Sequence, residues 1–107
     1  MGFGCDRSLA KIHLDLDSIG PDGLRGPAGG RGAVAYELCV PAGEPIYTEL
    51  RRIDPALEIH EGSAGRIGCS PTQALVVGTT SGNYWRTKLE SLAALPYVAE
   101  IREAQFE

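Results

Sequence analysis

The residues of this sequence best suited to chemistry are Cys39, His60, Ser63, Arg66 and Cys69. Three of them sit in Gly62-Ser63-Ala64-Gly65-Arg66-Ile67-Gly68-Cys69-Ser70. There, glycines that adopt positive φ can turn backbone N–H groups toward one point, and Arg66 adds a planar, bidentate cation. Such a stretch is suited to cradling a phosphate or a carboxylate. It lacks the Gly-Lys-Ser/Thr of a P-loop and precedes a strand, so no helix dipole assists it. The same residues suggest a second use, with Cys69 as nucleophile and His60 as its base, although no third group to orient His60 is identifiable. Ser63 is no nucleophile elbow, because Glu61 stands where Gly-x-Ser-x-Gly requires glycine. A metal would draw on Cys39, His60 and Cys69, with Glu37 or Glu58. Zinc ligand atoms lie within about 4.5 Å of one another, and no CxxC or HxxxH spacing enforces that here. The expectation is therefore no metal and no cofactor.

The elements that would position these residues belong to one domain, since 107 residues sit at the low end of domain size. An apolar fraction of 43% against 22% charged residues is ordinary for a packed globular chain. The net charge of −4 gives no general attraction for nucleic acid or anionic lipid. No apolar run approaches the roughly 20 residues of a membrane span, and Met1 to Asp6 lacks the apolar stretch of a signal peptide. Three cysteines without short paired spacing fit a reducing compartment. The expectations are a cytoplasmic protein with free thiols, and neither nucleic acid nor membrane as partner.

Periodicity supplies the elements. Leu9 to Asp17 alternates Ile12, Leu14 and Leu16 with polar residues and predicts an extra N-terminal strand (9–17), followed by a Gly/Pro-rich loop (18–33). From Ala33 the alternation of Val34, Tyr36, Leu38 and Val40 against Glu37 and Cys39 predicts a strand closed by Pro41-Ala42-Gly43. Pro45 suits a first helical turn, and Ile46, Leu50 and Ile53 share one helical face until Asp54-Pro55. Leu57 and Ile59 predict a short strand and Ala74 to Thr79 another. Thr80 to Asn83 offers turn and capping chemistry before a second helix with Trp85, Leu89, Leu92 and Ala93 on one face. Tyr97 to Phe106 predicts the last strand.

This strand-helix-strand-strand-helix-strand order, with Leu92-x-x-Leu95-Pro96-x-Val98-x-x-Ile101 at the second helix-to-strand junction, resembles the ferredoxin-like plait over residues 34–104. The implied class is an α+β domain with both helices on one face of an antiparallel sheet. That resemblance is to a fold that hosts many functions and assigns no catalytic residue. It implies that Glu37 and Cys39, Glu58 and His60, and Glu100 and Arg102 stand on the uncovered face. It also places Cys39, His60, Arg66 and Cys69 toward one end of the sheet. The strands bearing Cys39 and His60 would be two positions apart, roughly 9–10 Å.

Three functions fit these features. The first is a non-catalytic binding or oligomerising module acting through the uncovered sheet face (Glu37, Glu58, Glu100, Arg102) or the N-terminal strand, with a protein partner or a second copy. The second is a small-anion-binding protein or enzyme at the Gly62–Ser70 loop. The third is an inhibitor or immunity-type protein that binds a basic partner through its acidic charge.

Overall fold

The computed structural model describes residues 10–26 and 32–104. The alternation of the central strand controls the rest of the architecture. In β4 (Ala35–Pro41), Tyr36, Leu38 and Val40 are buried on one side, while Glu37, Cys39 and Pro41 occupy the other by the period-two geometry of a strand. β6 (Gln73–Thr79) lies antiparallel to β4 with Leu38 opposite Val76. β5 (Glu58–Glu61) lies antiparallel to β6 with Ile59 opposite Val76. On the other flank β7 (Ile101–Glu103) pairs antiparallel with β4, placing Ile101 beside Leu38. A two-residue strand, β1 (Ile12–His13), adds to β7 in parallel. The five-stranded mixed sheet has the order β1-β7-β4-β6-β5, and β2 (Leu24–Arg25) and β3 (Gly32–Ala33) form a separate two-stranded ladder.

Two helices cover one face. α1 (Glu44–Ile53) carries Pro45 in its first turn and buries Tyr47 and Leu50. It stops at Asp54, whose Oδ1 accepts from the Ala56 N–H at 3.0 Å. α2 (Trp85–Ala93) buries Trp85, Leu89, Leu92 and Ala93, the i, i+4, i+7, i+8 stripe of an amphipathic helix. These side chains join Tyr36, Leu38, Val40, Ala74, Val76 and Ile101 in one hydrophobic cluster. Leu50, Leu89 and Leu92 have no exposed surface, each contributing about 1.5–3 kcal/mol of transfer free energy. The molecule is a small α+β protein, as the sequence pattern required.

The predicted N-terminal strand is shorter than its alternation suggested. Only Ile12 and His13 pair, and a 3-10 turn, Leu16–Ser18, replaces the remainder. Ser18 donates to the Asp15 carbonyl from both its backbone N–H, at 3.1 Å, and its hydroxyl, at 2.7 Å. This local bonding competes with strand pairing. Leu14 and Leu16 are half-buried and still pack against the core, so apolar contact is kept without extended backbone; Leu9 lies outside the described residues. The last strand is likewise confined to Ile101–Glu103: Tyr97 to Glu100 and Ala104, predicted within it, lie outside the strand, and positions 105 and 106 lie outside the described residues.

A buried hydroxyl joins the N-terminal segment to the sheet. Thr80 has no exposed surface; its Oγ1 donates to the Gly23 carbonyl at 2.6 Å and accepts from the Val34 N–H at 2.9 Å. Gly23 sits at φ +81°, and a Cβ there would lie 1.8 Å from the Thr80 carbonyl oxygen. Only glycine fits that approach. Among the described residues, every buried side-chain nitrogen and oxygen has a partner, and no helix is long and apolar enough to cross a membrane.

Candidate functional site

The sheet face away from the helices carries the residues with chemistry, and part of it is covered by the chain itself. Gly62, Gly65 and Gly68 all adopt positive φ, which curls the segment between β5 and β6 into a compact loop. The Gly68 and Cys69 N–H groups both donate to the Ala64 carbonyl, at 3.1 and 2.8 Å. The loop folds back over β4 and β6. Cys69 is disulfide-bonded to Cys39, with Cα atoms 5.4 Å apart, which corrects the expectation of free thiols for these two; Cys5 lies outside the described residues. The bond also removes Cys69 as a nucleophile, since a sulfur in a disulfide has no thiolate to attack with.

Beside this bond the loop grips a carboxylate. The backbone N–H groups of Arg66 and Ile67 both donate to Glu37 Oε1 at 3.1 Å. A Cβ on Gly65 would sit 2.7 Å from Leu75 Cδ1 and 3.2 Å from Glu37 Oε2, so the bare backbone of that glycine rests directly on the sheet. Glu37, expected on an open surface, is only 4% exposed. The converging amides of this loop hold the chain's own Glu37. Two charge-assisted bonds compensate the desolvation of that carboxylate.

Of the five sequence candidates, the fold brings Cys39, Cys69 and the Arg66 backbone together and leaves His60 and Ser63 apart. His60 stands on β5 opposite Leu75, with Nε2 3.3 Å from Glu58 Oε1. The β6 strand lies between it and the strand of Cys39. Ser63 is exposed, and its N–H reaches the His60 carbonyl at 3.4 Å. Among the described residues no group of three or more His, Cys, Asp or Glu is arranged to hold a metal.

The uncovered flanks of this face are charged. Toward β1, Arg102 Nε donates to Glu100 Oε1 at 2.8 Å, and His13 Nε2 lies 3.5 Å from Glu100 Oε2. The hydrogen bond from Arg102 is the main cause that holds the Glu100 carboxyl below its usual range, with His13 adding to the effect. Toward the other edge stand Glu58 and His60, both exposed. A cavity of about 160 Å³ opens between the two regions, lined by Cys39, Ile67, Gly68, Gln73, Ala99 and Glu100.

A second concave site lies at the start of α2. Ile19, Gly20, Pro21, Tyr84, Trp85, Arg86 and Thr87 line a cavity of about 350 Å³. Tyr84 precedes α2 at φ +61°, and no side chain caps that helix; the capping expected from Thr80 to Asn83 is spent elsewhere, with Thr79 Oγ1 and Ser81 Oγ 2.7 Å apart. Among the described residues Tyr84 is the non-glycine residue at positive φ, and its side chain is 77% exposed. The Arg86 guanidinium lies 6.0 Å from the Trp85 ring centroid. Its nearest carboxylates, Glu90 and Asp17, are 3.8 and 3.9 Å away, beyond hydrogen-bond distance. The sequence signal available for this site is the Trp85-Arg86 pair after the Thr80-Ser81-Gly82-Asn83 turn. No protein-family model, curated protein or solved structure matches this chain.

Proposed function

We propose that this protein is a non-catalytic binding module, built on a ferredoxin-like plait, that engages a protein partner through the sheet face opposite the helices. The plait reading is supported by the order β7-β4-β6-β5, antiparallel throughout, with both helices in one core. The observation that carries the function is the covalent fixing of the Gly62–Ser70 loop on the far face, while the hydrophobic cluster contains no residue of that loop. Immobilising an exposed loop away from the core adds little to the core itself. It does pre-organise a surface, and ordering a surface before contact lowers the cost of association.

That surface presents Ser63 and Arg66 on the loop, with the Glu100–Arg102 pair on one side and Glu58 and His60 on the other. Charged rows of this kind give selectivity and association rate more than area-driven affinity. The N-terminal strand is engaged within its own sheet at β7, so the face is favoured over that strand as the contact. The test is capture from a source lysate with wild type, Arg66→Glu, Arg102→Glu and, on α1, Arg51→Glu. The reading predicts one partner held by wild type and Arg51→Glu and lost by both far-face variants. Equal capture by all four contradicts it. Sedimentation of the purified chain decides whether the partner is a second copy.

The 350 Å³ cavity favours a second reading, a site for a small aromatic acid that stacks against the exposed Tyr84 ring and pairs with Arg86 at the mouth of the cavity. Its size falls within the range of ligand pockets. Titration with aromatic carboxylates, followed by Trp85 fluorescence, would show saturable quenching that Arg86→Ala abolishes; a flat response removes this reading.

A further inference from the structure

Three attachments hold the Gly62–Ser70 loop on the far face: the Cys39–Cys69 bond, the two amide bonds to Glu37, and the seat of Gly65 on Leu75. The loop itself stores little apolar contact, because Gly62 to Arg66, Gly68 and Ser70 are exposed, Ile67 is half-buried and Cys69 is the buried member. Without the covalent bond, two hydrogen bonds and one glycine contact must balance the conformational entropy of ordering nine residues. Entropy prevails in that comparison. The core does not depend on the outcome, since Cys39, Leu75 and the whole loop lie outside the hydrophobic cluster. Opening is therefore a local event of the low-stability kind that native proteins undergo without unfolding.

The bond is also approachable. Cys39 is half-buried and lines the 160 Å³ cavity between the loop and the Ala99–Glu100 segment, which gives an incoming sulfur a route that avoids the core. We propose that the Cys39–Cys69 disulfide is a latch, released by a dithiol reductant, that sets whether the loop covers Glu37 and Leu75 on the far face. In the releasing step a thiolate of the reductant attacks one sulfur of the pair. The S–S bond breaks, and the other cysteine departs as a thiolate and takes up a proton. The second reductant thiol, deprotonated, displaces the mixed disulfide. The products are two protein thiols and the reductant's own disulfide, with two electrons transferred to the protein. Oxidation by a disulfide reverses the exchange.

Release takes Arg66 off the face and exposes the Glu37 carboxylate and the Leu75 side chain, so the reduced protein loses the surface assigned above to the partner. That consequence rests on the far-face reading; the latch does not. The test uses the full chain, oxidised and in dithiothreitol, with the Cys39→Ser, Cys69→Ser double variant as a permanent mimic of release. Amide hydrogen exchange is read at Arg66 and Ile67 and, as an internal standard, at Leu38 and Val76 in the β4–β6 ladder. The latch predicts that exchange at the two loop amides rises at least about tenfold on reduction and in the double variant, that the ladder amides keep their protection, and that reoxidation restores the loop. Loop amides that stay protected overturn the latch, because Glu37 then suffices to hold the loop. Ladder amides that lose protection together with the loop also overturn it, because the bond is then a global staple. If the loop opens while the partner captured from lysate is held equally in both states, the latch stands and the far-face reading fails.

Discussion

Replacing Glu37 by alanine removes the acceptor on which the far-face loop depends, and its cost can be worked from the contacts. Hydrogen bonds to a charged group contribute about 1.5–3 kcal/mol each, so the two bonds from Arg66 and Ile67 to Glu37 Oε1 represent roughly 3–6 kcal/mol before compensation. Two effects reduce that sum. The disulfide keeps the loop near the sheet, and the exposed backbone at Arg66 recovers water as a partner. The desolvation cost of a carboxylate only 4% exposed also disappears with it. A net loss of about 2 kcal/mol remains for Glu37→Ala, in line with substitutions that break a buried hydrogen-bond network. Glu37→Gln keeps an oxygen for both amides and loses the charge assistance, which is roughly half of the bond strength, so its expected loss is about 1 kcal/mol. Urea unfolding monitored by the single tryptophan, Trp85, measures both, with the denaturant slope expected to stay constant. A Glu37→Ala protein within about 0.5 kcal/mol of wild type, the range of ordinary surface substitutions, would refute the loop as a receptor for this carboxylate.

Other perturbations test the frame that carries the loop. Thr80→Val keeps the shape of the side chain but leaves the Val34 N–H and the Gly23 carbonyl without their partner, at about 1–3 kcal/mol each. The urea midpoint should fall accordingly, whereas Thr80→Ser should recover most of the loss. Gly23→Ala places a methyl 1.8 Å from the Thr80 carbonyl oxygen at φ +81°; soluble expression with a midpoint near wild type would contradict the close approach. Glu103 accepts from Arg25 at 3.0 and 2.6 Å, and this contact holds its carboxyl below the usual value. A depressed carboxylate contributes stability above its unfolded pKa, and that contribution disappears as pH falls through the folded value. The stability gap between wild type and Glu103→Gln should be constant at neutral pH and close progressively below the ordinary carboxylate value of 4.5; a gap that persists at lower pH is the contrary outcome.

Much of the frame was legible because its signals are local and periodic. The alternation of Tyr36, Leu38 and Val40, the Leu89 and Leu92 stripe, and Pro45 in a first helical turn each report one element without reference to any other. The covering of Glu37 on the far face is not legible, for the complementary reason. Period two places Glu37 opposite the helices, correctly, but says nothing of a loop that returns to cover it. The Cys39–Cys69 pair is separated by 30 positions, and with three cysteines in the chain spacing alone cannot select a pairing. The glycines at 62, 65 and 68 were the available sign, since three positive-φ positions compact a loop and turn its amides one way. Glycine spacing alone does not say whether those amides meet an external anion or, as with Glu37, one within the chain. The cavity beside Tyr84 depends on a left-handed tyrosine, a conformation that bulky side chains rarely adopt and that no local pattern announces.

The covalent attachment of the loop to the central strand is the claim on which the far-face reading and the latch both stand. It can be measured by digesting the unreduced protein with trypsin after alkylating free thiols, then sequencing the peptides by mass spectrometry. Cys39 and Cys69 should appear in one cross-linked species that joins the peptide ending at Arg51 to the peptide ending at Arg86, and reductant should separate it into two. Recovery of those peptides unlinked, with Cys39 and Cys69 each alkylated before any reduction, would contradict the account.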